Sequence, residues 1–111
     1  MKIIHFQEMA PQPVTMEGAE KVTIRWLIAK DDGAPHFAMR LFEIQPGGHT
    51  PVHAHRGEHE VFILEGDSAV VKDGKEVPVK PGTAVYVLPE EMHGFINKGK
   101  TVMRMLCLVP V

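Results

Sequence analysis

The sequence predicts an all-β protein built as a single domain. A chain of 111 residues has the length of one domain. The ten glycines and nine prolines are spread along the whole chain, and short runs with strand composition lie between them. Short strands with short connections favour a closed barrel or a two-sheet sandwich, because such folds protect the edges of their sheets.

The individual segments predict about eight to ten strands and no clear helix. Segment 21–28 begins with alternating polar and apolar residues, whereas 61–64 is a continuous apolar run that indicates a strand buried on both faces. Asp73 and Gly74 separate two strand-like runs and predict a hairpin, because both turn positions need a positive φ. The large side chains expected in the core are Trp26, Phe37, Met39, Phe42, Phe62, Tyr86 and Phe95.

Charge and composition exclude several classes of protein. The net charge is −2, and the basic residues form no dense patch, which argues against nucleic acid as a partner. No apolar run reaches the roughly 20 residues of a membrane-spanning helix, and no membrane partner is expected. Residues 1–7 lack the pattern of a signal peptide, and a single cysteine cannot form an intrachain disulfide. A cytoplasmic location is therefore expected.

Seven histidines are many for a chain of this length, and three of them lie close together: His53, His55 and His59. On one straight strand, the first and third would be about 20 Å apart, which is too far for one ion. With a turn at residues 56–58, His53 and His55 would end one strand, and His59 would start the next strand and point back at them. His93 is the fourth candidate, at a break between strands.

Imidazole nitrogen is a ligand of divalent first-row metals, so this pattern predicts a metal site. Three protonatable side chains on one face would otherwise repel each other. His5, His36 and His49 lie outside the pattern and are expected to be structural or solvated.

These residues resemble the two motifs of small cupins over residues 37–109, which implies a double-stranded β-helix, or jelly-roll barrel, within a single domain of residues 1–111. The first motif is matched by Gly47, His53, His55, Glu60 and Gly66. The second motif is matched by Gly82, Pro89, His93 and Asn97. Two departures occur: Glu91 stands where the second motif usually has glycine, and one residue is missing before its histidine.

In the first motif, a glutamate ligand usually follows the His-x-His pair after three or four residues. Counted from His55, three residues lead to His59 and four lead to Glu60. Neighbouring residues on a strand face opposite ways, so only one of them reaches the metal. His59 is favoured because, like His53 and His55, it is at an odd-numbered position and would share a strand face with them. The chain is also similar to compact bacterial cupins that bind manganese through four histidines. The predicted ligands are His53, His55, His59 and His93, with Glu60 as the alternative to His59. The resemblance implies one divalent ion, Mn or Fe before Zn, Ni or Cu.

Four neutral imidazoles would leave the double positive charge of such an ion uncompensated, which favours an anionic ligand. An octahedral ion would also keep two positions for substrate or O₂. On the last strand, Met105 and Cys107 are expected to point inward if Arg104 points to solvent. Cys107 is interpreted as a small buried side chain before a metal ligand.

The main functional hypothesis is a metal-dependent, dioxygenase-like oxidoreductase that acts on a small organic molecule. The alternative is a non-catalytic module that binds a small ligand or the metal. A third hypothesis is a purely structural role, in which the metal only stabilises the barrel. No catalytic base is assigned, since Glu60, Glu90 and Glu91 are close to the ligands only in sequence. A homodimer is expected, in which residues 1–30 are candidates for exchange between subunits.

Overall fold

The computed structural model describes residues 1–111 as a curled antiparallel sheet of nine strands with two short 3-10 turns. This confirms the predicted all-β class and the expected number of strands. The strands are β1 (Gln12–Pro13), β2 (Glu20–Ile28), β3 (Phe37–His49), β4 (His59–Glu65), β5 (Ser68–Lys72), β6 (Lys75–Val79), β7 (Ala84–Val87), β8 (His93–Asn97) and β9 (Met103–Pro110), and the 3-10 turns are Phe6–Glu8 and Lys30–Asp32. No helix of the structure is long enough and apolar enough to span a membrane.

The strand order through the sheet is β6-β5-β8-β3-β9-β4-β7, with β2 on β3 and β1 on β2. The 13-residue strand β3 connects the two halves of the curl. It pairs with β9 over residues 37–44, and its last residue, His49, pairs with Ile96 of β8. Strands β1 and β2 pair within their own chain, and exchange of residues 1–30 between subunits stays a prediction.

The hairpin predicted at Asp73 and Gly74 is confirmed. Their φ angles are 52° and 73°, and the flanking residues Lys72 and Lys75 pair across the turn. Aspartate tolerates the left-handed region better than most residues and glycine adopts it freely, which is why this dipeptide closes a two-residue turn.

The core lies inside the curl, where alternate residues of several strands meet. On β9, Met105 and Cys107 are buried, while Arg104 and Leu106, which alternate with them, are more exposed, so the predicted inward direction of Met105 and Cys107 is confirmed. The buried apolar cluster consists of Val22, Ile44, Val61, Ile63, Val70, Phe95, Met103, Met105 and Cys107.

Several of the aromatic residues expected in the core lie outside it. Phe95 is 4% exposed, as predicted, but Phe37, Phe62 and Tyr86 are 60%, 45% and 55% exposed, and Trp26 is 39% exposed. The prediction that segment 61–64 is buried on both faces was also wrong. Successive residues of a strand face opposite sides, and only one side of β4 faces the core.

A buried carboxylate connects the N-terminal residues to the sheet. Glu43 accepts hydrogen bonds from Arg25 at 2.6 Å and from Arg104 at 2.8 Å. Burial alone would raise the pKa of Glu43, but these two guanidinium groups outweigh it and lower the pKa below its usual value. Arg25 also donates to the carbonyl oxygens of Phe6 and Met9, so residues 6–9 are held against β2.

Candidate metal centre

The four histidines predicted as ligands come from one loop and the starts of two strands. His53 and His55 lie on the loop between β3 and β4, not at the end of a strand as expected. The loop carries the predicted turn, with bends at residues 56–57, and His59 is the first residue of β4. His93 is the first residue of β8.

His53 and His93 are joined by their main chains. The N–H group of each donates to the carbonyl oxygen of the other at 3.0 Å, which places both side chains on the same side of the bridge. Gly94 permits this close approach, because a Cβ atom there would lie 3.0 Å from Cγ2 of Val52 and 3.3 Å from the carbonyl oxygen of Pro51.

The four imidazole rings form one group, which we call the histidine cluster: His53, His55, His59 and His93. The ring of His55 lies with its centroid 5.1, 4.2 and 5.0 Å from the rings of His53, His59 and His93. Candidate ligand atoms of His53, His55 and His93 lie within 4.8 Å of one another. His59 completes the cluster, since its Nε2 atom contacts Nε2 of His55 and its ring centroid is 5.1 Å from that of His93.

Main-chain carbonyl groups orient two of the rings. Nδ1 of His53 lies 3.0 Å from the carbonyl oxygen of Pro51, and Nδ1 of His93 lies 2.8 Å from that of Glu91. A carbonyl oxygen only accepts hydrogen bonds, so each Nδ1 carries the proton and each Nε2 keeps a free lone pair. Such outer contacts fix the tautomer of metal-binding histidines in many proteins.

Burial favours the neutral form of two members of the cluster, His59 and His93. Burial, together with the positive charge of Arg40, lowers the pKa of His59 to about 3. Burial also lowers the pKa of His93, against the opposing effect of its hydrogen bond to Glu91. Neutral imidazoles with converging lone pairs are the donors that divalent first-row metals prefer, so these residues fit such an ion.

Glu60, the alternative to His59, lies outside the cluster. Its side chain is exposed on β4, where it pairs with Tyr86 of β7 and Leu108 of β9 and lies beside an outward-facing apolar groove. The opposite orientations of neighbouring strand residues explain this separation from His59. The candidate bases Glu90 and Glu91 contact the site through main-chain atoms, the N–H of Glu90 donating to the carbonyl of His55 at 2.8 Å.

The three remaining histidines lie away from the cluster. His5 accepts a hydrogen bond from the N–H of Gln7 and caps the first 3-10 turn, whereas Nδ1 of His49 lies 3.4 Å from the carbonyl oxygen of Thr50. His36 is exposed at the end of the segment before β3.

Cys107 and Arg40 lie next to His59, and the sequence alone did not point to Arg40. Cys107 Sγ lies 2.9 Å from Nδ1 of His59 and accepts a hydrogen bond of 2.9 Å from Nη2 of Arg40. Burial raises the pKa of the Cys107 thiol. Arg40 was missed because only the pairing of β3 with β9 sets it opposite Cys107, and no local pattern contains that register.

A cavity of about 480 Å³ opens beside the histidine cluster. This is the size of an ordinary small-molecule site. Arg40 is the only lining residue with a fixed charge, and no lining residue is acidic. Apart from the histidine cluster and Arg40, the lining residues are Pro13, Val14, Met16, Ile24, Trp26, Phe42, Thr50, Pro51, Gly57, Phe95, Met105, Cys107, Val109 and Pro110.

Comparison with known protein families identifies a family whose domain covers the strands around the histidine cluster. The pattern of the cupin domain matches residues 40–109 of this chain. The chain therefore belongs to the cupin family, as its two motifs predicted.

Three relatives span most of the chain. The oxalate-binding protein of Thermotoga maritima is 30% identical over 113 residues, covering 96% of this chain and 92% of that protein. The L-ectoine synthase of Halalkalibacterium halodurans is 30% identical over 110 residues, covering 97% and 82%. Among solved structures, the polyketide cyclase RemF from Streptomyces resistomycificus is 37% identical with a TM-score of 0.93, covering 99% of this chain and 79% of that one.

Proposed function

We propose that this cupin is a metal-dependent enzyme that acts on a small oxygenated organic molecule. The observation that carries the proposal is the position of the histidine cluster in the wall of a largely apolar cavity. We assign His53, His55, His59 and His93 as ligands of one divalent ion, Mn or Fe before Zn, Ni or Cu. Such an ion supplies a Lewis acid that polarises an oxygen atom of the substrate.

The cavity favours a substrate with an apolar body. About 480 Å³ is far more space than a two-carbon dicarboxylate such as oxalate fills, and side chains such as Trp26, Phe42 and Met105 line it. A polyketide-like chain or ring, with several carbonyl groups on a carbon skeleton, matches both the volume and the lining. The likeness to a polyketide cyclase over 99% of this chain supports the same class.

The charges around the cavity favour a substrate that becomes negative at oxygen. No carboxylate lines the cavity, so the positive charge of Arg40 is not offset by a negative side chain. An enolate formed from a β-dicarbonyl compound is stabilised in such surroundings, because developing negative charge meets preset positive charge. Ring closure by an intramolecular aldol addition is the reaction that we propose first. The α-carbon loses its proton to water and bonds to a second carbonyl carbon of the same chain, while the π bond of that carbonyl breaks and its oxygen takes up a proton.

The number of histidines favours a second candidate, the dioxygenase predicted from the sequence. The four histidines would hold the ion, and an ion held in this way would supply a site for chemistry with O₂ beside the substrate. The two candidates differ in a simple requirement, because ring closure needs no oxidant and dioxygenation consumes O₂.

The first experiment is to measure the metal content of untagged protein by plasma mass spectrometry. About one ion per chain is expected in the wild type, with loss in His53→Ala, His59→Ala and His93→Ala. Glu60→Ala is the matched control and should keep its metal, because Glu60 points away from the cluster. A wild type that takes up no metal would contradict the proposal.

The second experiment is to incubate the metal-loaded protein with an open-chain triketide thioester under argon and in air. Cyclised product under argon supports the first candidate. Product in air alone, with matching O₂ uptake at an electrode, supports the dioxygenase. Tight binding without turnover in either gas would favour a non-catalytic binding module. Loss of folding on chelation, without any ligand binding, would favour a metal that only fastens the barrel.

We also propose that the protein forms a homodimer through the outer face of β4, β7 and β9. This face is apolar and unpaired within the chain, and it includes Phe62, Tyr86, Leu106 and Leu108. Large exposed apolar patches of this kind are typical of protein–protein interfaces. A cytoplasmic location stays a prediction, supported by the single cysteine, which is free.

A further inference from the structure

We propose that Arg40 is an anion-binding residue that holds a second oxygen group of the substrate. The substrate is then an organic anion with a flat apolar body, anchored by one oxygen function at the histidine cluster and by a carboxylate or enolate at Arg40. This inference rests on the proposed function, because it places the substrate in the same cavity, and it narrows the class of substrate.

The guanidinium group of Arg40 is fixed by its neighbours. Its Cζ atom lies 4.9 Å from the ring centroid of Phe42 and 5.5 Å from that of Trp26. Both distances are within the range of cation–π contacts. Its Nη2 atom donates to Cys107 Sγ at 2.9 Å. Nη2 also lies 3.1 Å from Nδ1 of His59. A planar group held by two rings and these contacts keeps its orientation before any ligand arrives.

Most of the hydrogen-bonding capacity of Arg40 is unused. All of its hydrogen-bond contacts within the chain are made by Nη2. Nε is buried without any partner, and Nη1 makes no hydrogen bond to the chain. Buried donors without partners are rare in folded proteins, because each loses its bonds to water without a replacement. The free Nη1 belongs to a side chain that lines the cavity, where a ligand oxygen can reach it.

The charge of Arg40 also lacks a counterion. Two other arginines of the sheet, Arg25 and Arg104, share the buried carboxylate of Glu43. Arg40 makes no ion pair with any carboxylate of the chain, and no acidic side chain lines its cavity. An unpaired charge in such surroundings is unfavourable, and a ligand anion would relieve it through a charge-assisted hydrogen bond.

The surroundings of Arg40 define the body of the ligand. Trp26, Phe42, Phe95 and Met105 line the same cavity and offer flat or adaptable apolar contacts. A small inorganic anion would satisfy Arg40 and leave these surfaces unused. An aromatic or conjugated carboxylate would satisfy both.

Isothermal titration calorimetry with trans-cinnamate and its neutral amide tests this inference. Both probes have the same shape, and only cinnamate is an anion. Titrations are done on the metal-free protein as well as the metal-loaded protein, so that binding at Arg40 is measured apart from the metal. We expect the metal-free wild type to bind cinnamate at least tenfold more tightly than cinnamamide. Trp26 is the only tryptophan of the chain, so quenching of its fluorescence by cinnamate reports binding in this cavity.

Three variants test whether the preference for the anionic probe depends on Arg40 itself or on positive charge anywhere near the site. Arg40→Gln should bind the two probes equally, and Arg40→Lys should keep part of the preference for the anion. Arg56→Gln removes an exposed cation next to His55 that does not line the cavity, and should behave like the wild type. Equal affinity of the metal-free wild type for both probes, or unchanged preference in Arg40→Gln, would overturn the inference. The wild-type comparison decides the question even if the Arg40 variants fail to fold.

The outcomes for the two proposals are independent. Protein that takes up no metal but prefers cinnamate through Arg40 contradicts the proposed function and supports the anion site. Protein that binds metal and cyclises a triketide, but shows no preference for the anion without metal, supports the function and overturns the anion site.

Discussion

The Nδ1 atom of His59 lies 2.9 Å from Sγ of Cys107, and this contact joins the histidine cluster to the cavity wall. Nη2 of Arg40, which can only donate, lies 3.1 Å from the same Nδ1 atom. Nδ1 donates to sulfur when it carries the proton and accepts from Arg40 when it does not, and only the first tautomer leaves the Nε2 lone pair facing the other histidines. Cys107 thereby positions His59 without any need to bind the metal itself. The predicted burial of Cys107 is confirmed by its 3% exposure, and its not being a metal ligand stays a prediction.

We predict that Cys107→Ala lowers metal affinity by about tenfold, because groups that orient metal-binding histidines typically contribute factors of that size. Cys107→Ser should lose less, since a hydroxyl group can still accept a hydrogen bond. Competition with a chelator of known affinity measures the change. Val70→Ala, a truncation in the same core but away from the cluster, is the control for general destabilisation. Equal affinities of Cys107→Ala and Val70→Ala would show that Cys107 has no positioning role.

The bridge between His53 and His93 gives a second prediction. Gly94→Ala should weaken metal binding, because the new Cβ atom presses on Val52 and Pro51 and moves the chain carrying His53 by a few tenths of an ångström. Gly57→Ala is the control, on the loop that carries His53 and His55, where the nearest atom to a new Cβ is 3.8 Å away. Metal titration of both variants checks this, and a weaker site in Gly57→Ala than in Gly94→Ala would contradict it.

The buried carboxylate of Glu43 predicts a pH dependence of stability. Glu43→Gln should lower the free energy of unfolding at pH 7 by about 3 kcal/mol, because two arginines lose their shared partner. The pKa of Glu43 is lower in the folded state than its ordinary value of 4.5. Its contribution is therefore complete above that pH and is lost as the pH falls through the lowered folded-state pKa. The difference between wild type and variant should narrow in acid.

Urea unfolding at pH 7 and at pH 3 to 4 measures this difference. Glu76→Gln is the control, because its ion pair with Lys98 is about half exposed and should contribute less than about 1 kcal/mol. A difference between wild type and Glu43→Gln that does not change with pH would exclude the titration of Glu43 as its cause.

The outer face of β4 and β7 gives the prediction on oligomeric state. Wild-type protein should sediment as a species of about twice the 12.4 kDa chain mass, and Phe62→Lys should sediment as a monomer. Val77→Lys also introduces a charge at an exposed apolar residue, but on β6 at the other end of the strand order, and should leave the dimer intact. A wild-type monomer at micromolar concentration would refute the proposed interface.

The elements that local patterns determine were predicted correctly. The hairpin at Asp73 and Gly74 follows from the conformations those two residues accept, and the burial of Met105 and Cys107 follows from strand alternation. The grouping of the histidines followed from their spacing once a turn was placed between His55 and His59.

The features that were missed depend on contacts distant in sequence. Arg40 and Cys107 are 67 residues apart, and only the pairing of β3 with β9 brings them together. The exposure of Phe62 and Tyr86 depends on which side of the curled sheet is closed, which composition alone does not determine. The buried pair of Glu43 with Arg25 likewise needs the register of two strands.

Part of the cavity wall comes from a stretch of chain that lies apart in sequence from the histidine cluster. Pro13, Val14, Met16, Ile24 and Trp26 form part of its wall. The histidine cluster lies within residues 53–93, and the region matched by the cupin domain begins only at residue 40. Mutations in residues 13–26 can therefore reshape the space for a ligand while every residue of the histidine cluster is kept. A barrel divided in this way can acquire new ligands during evolution without having to rebuild its histidine cluster.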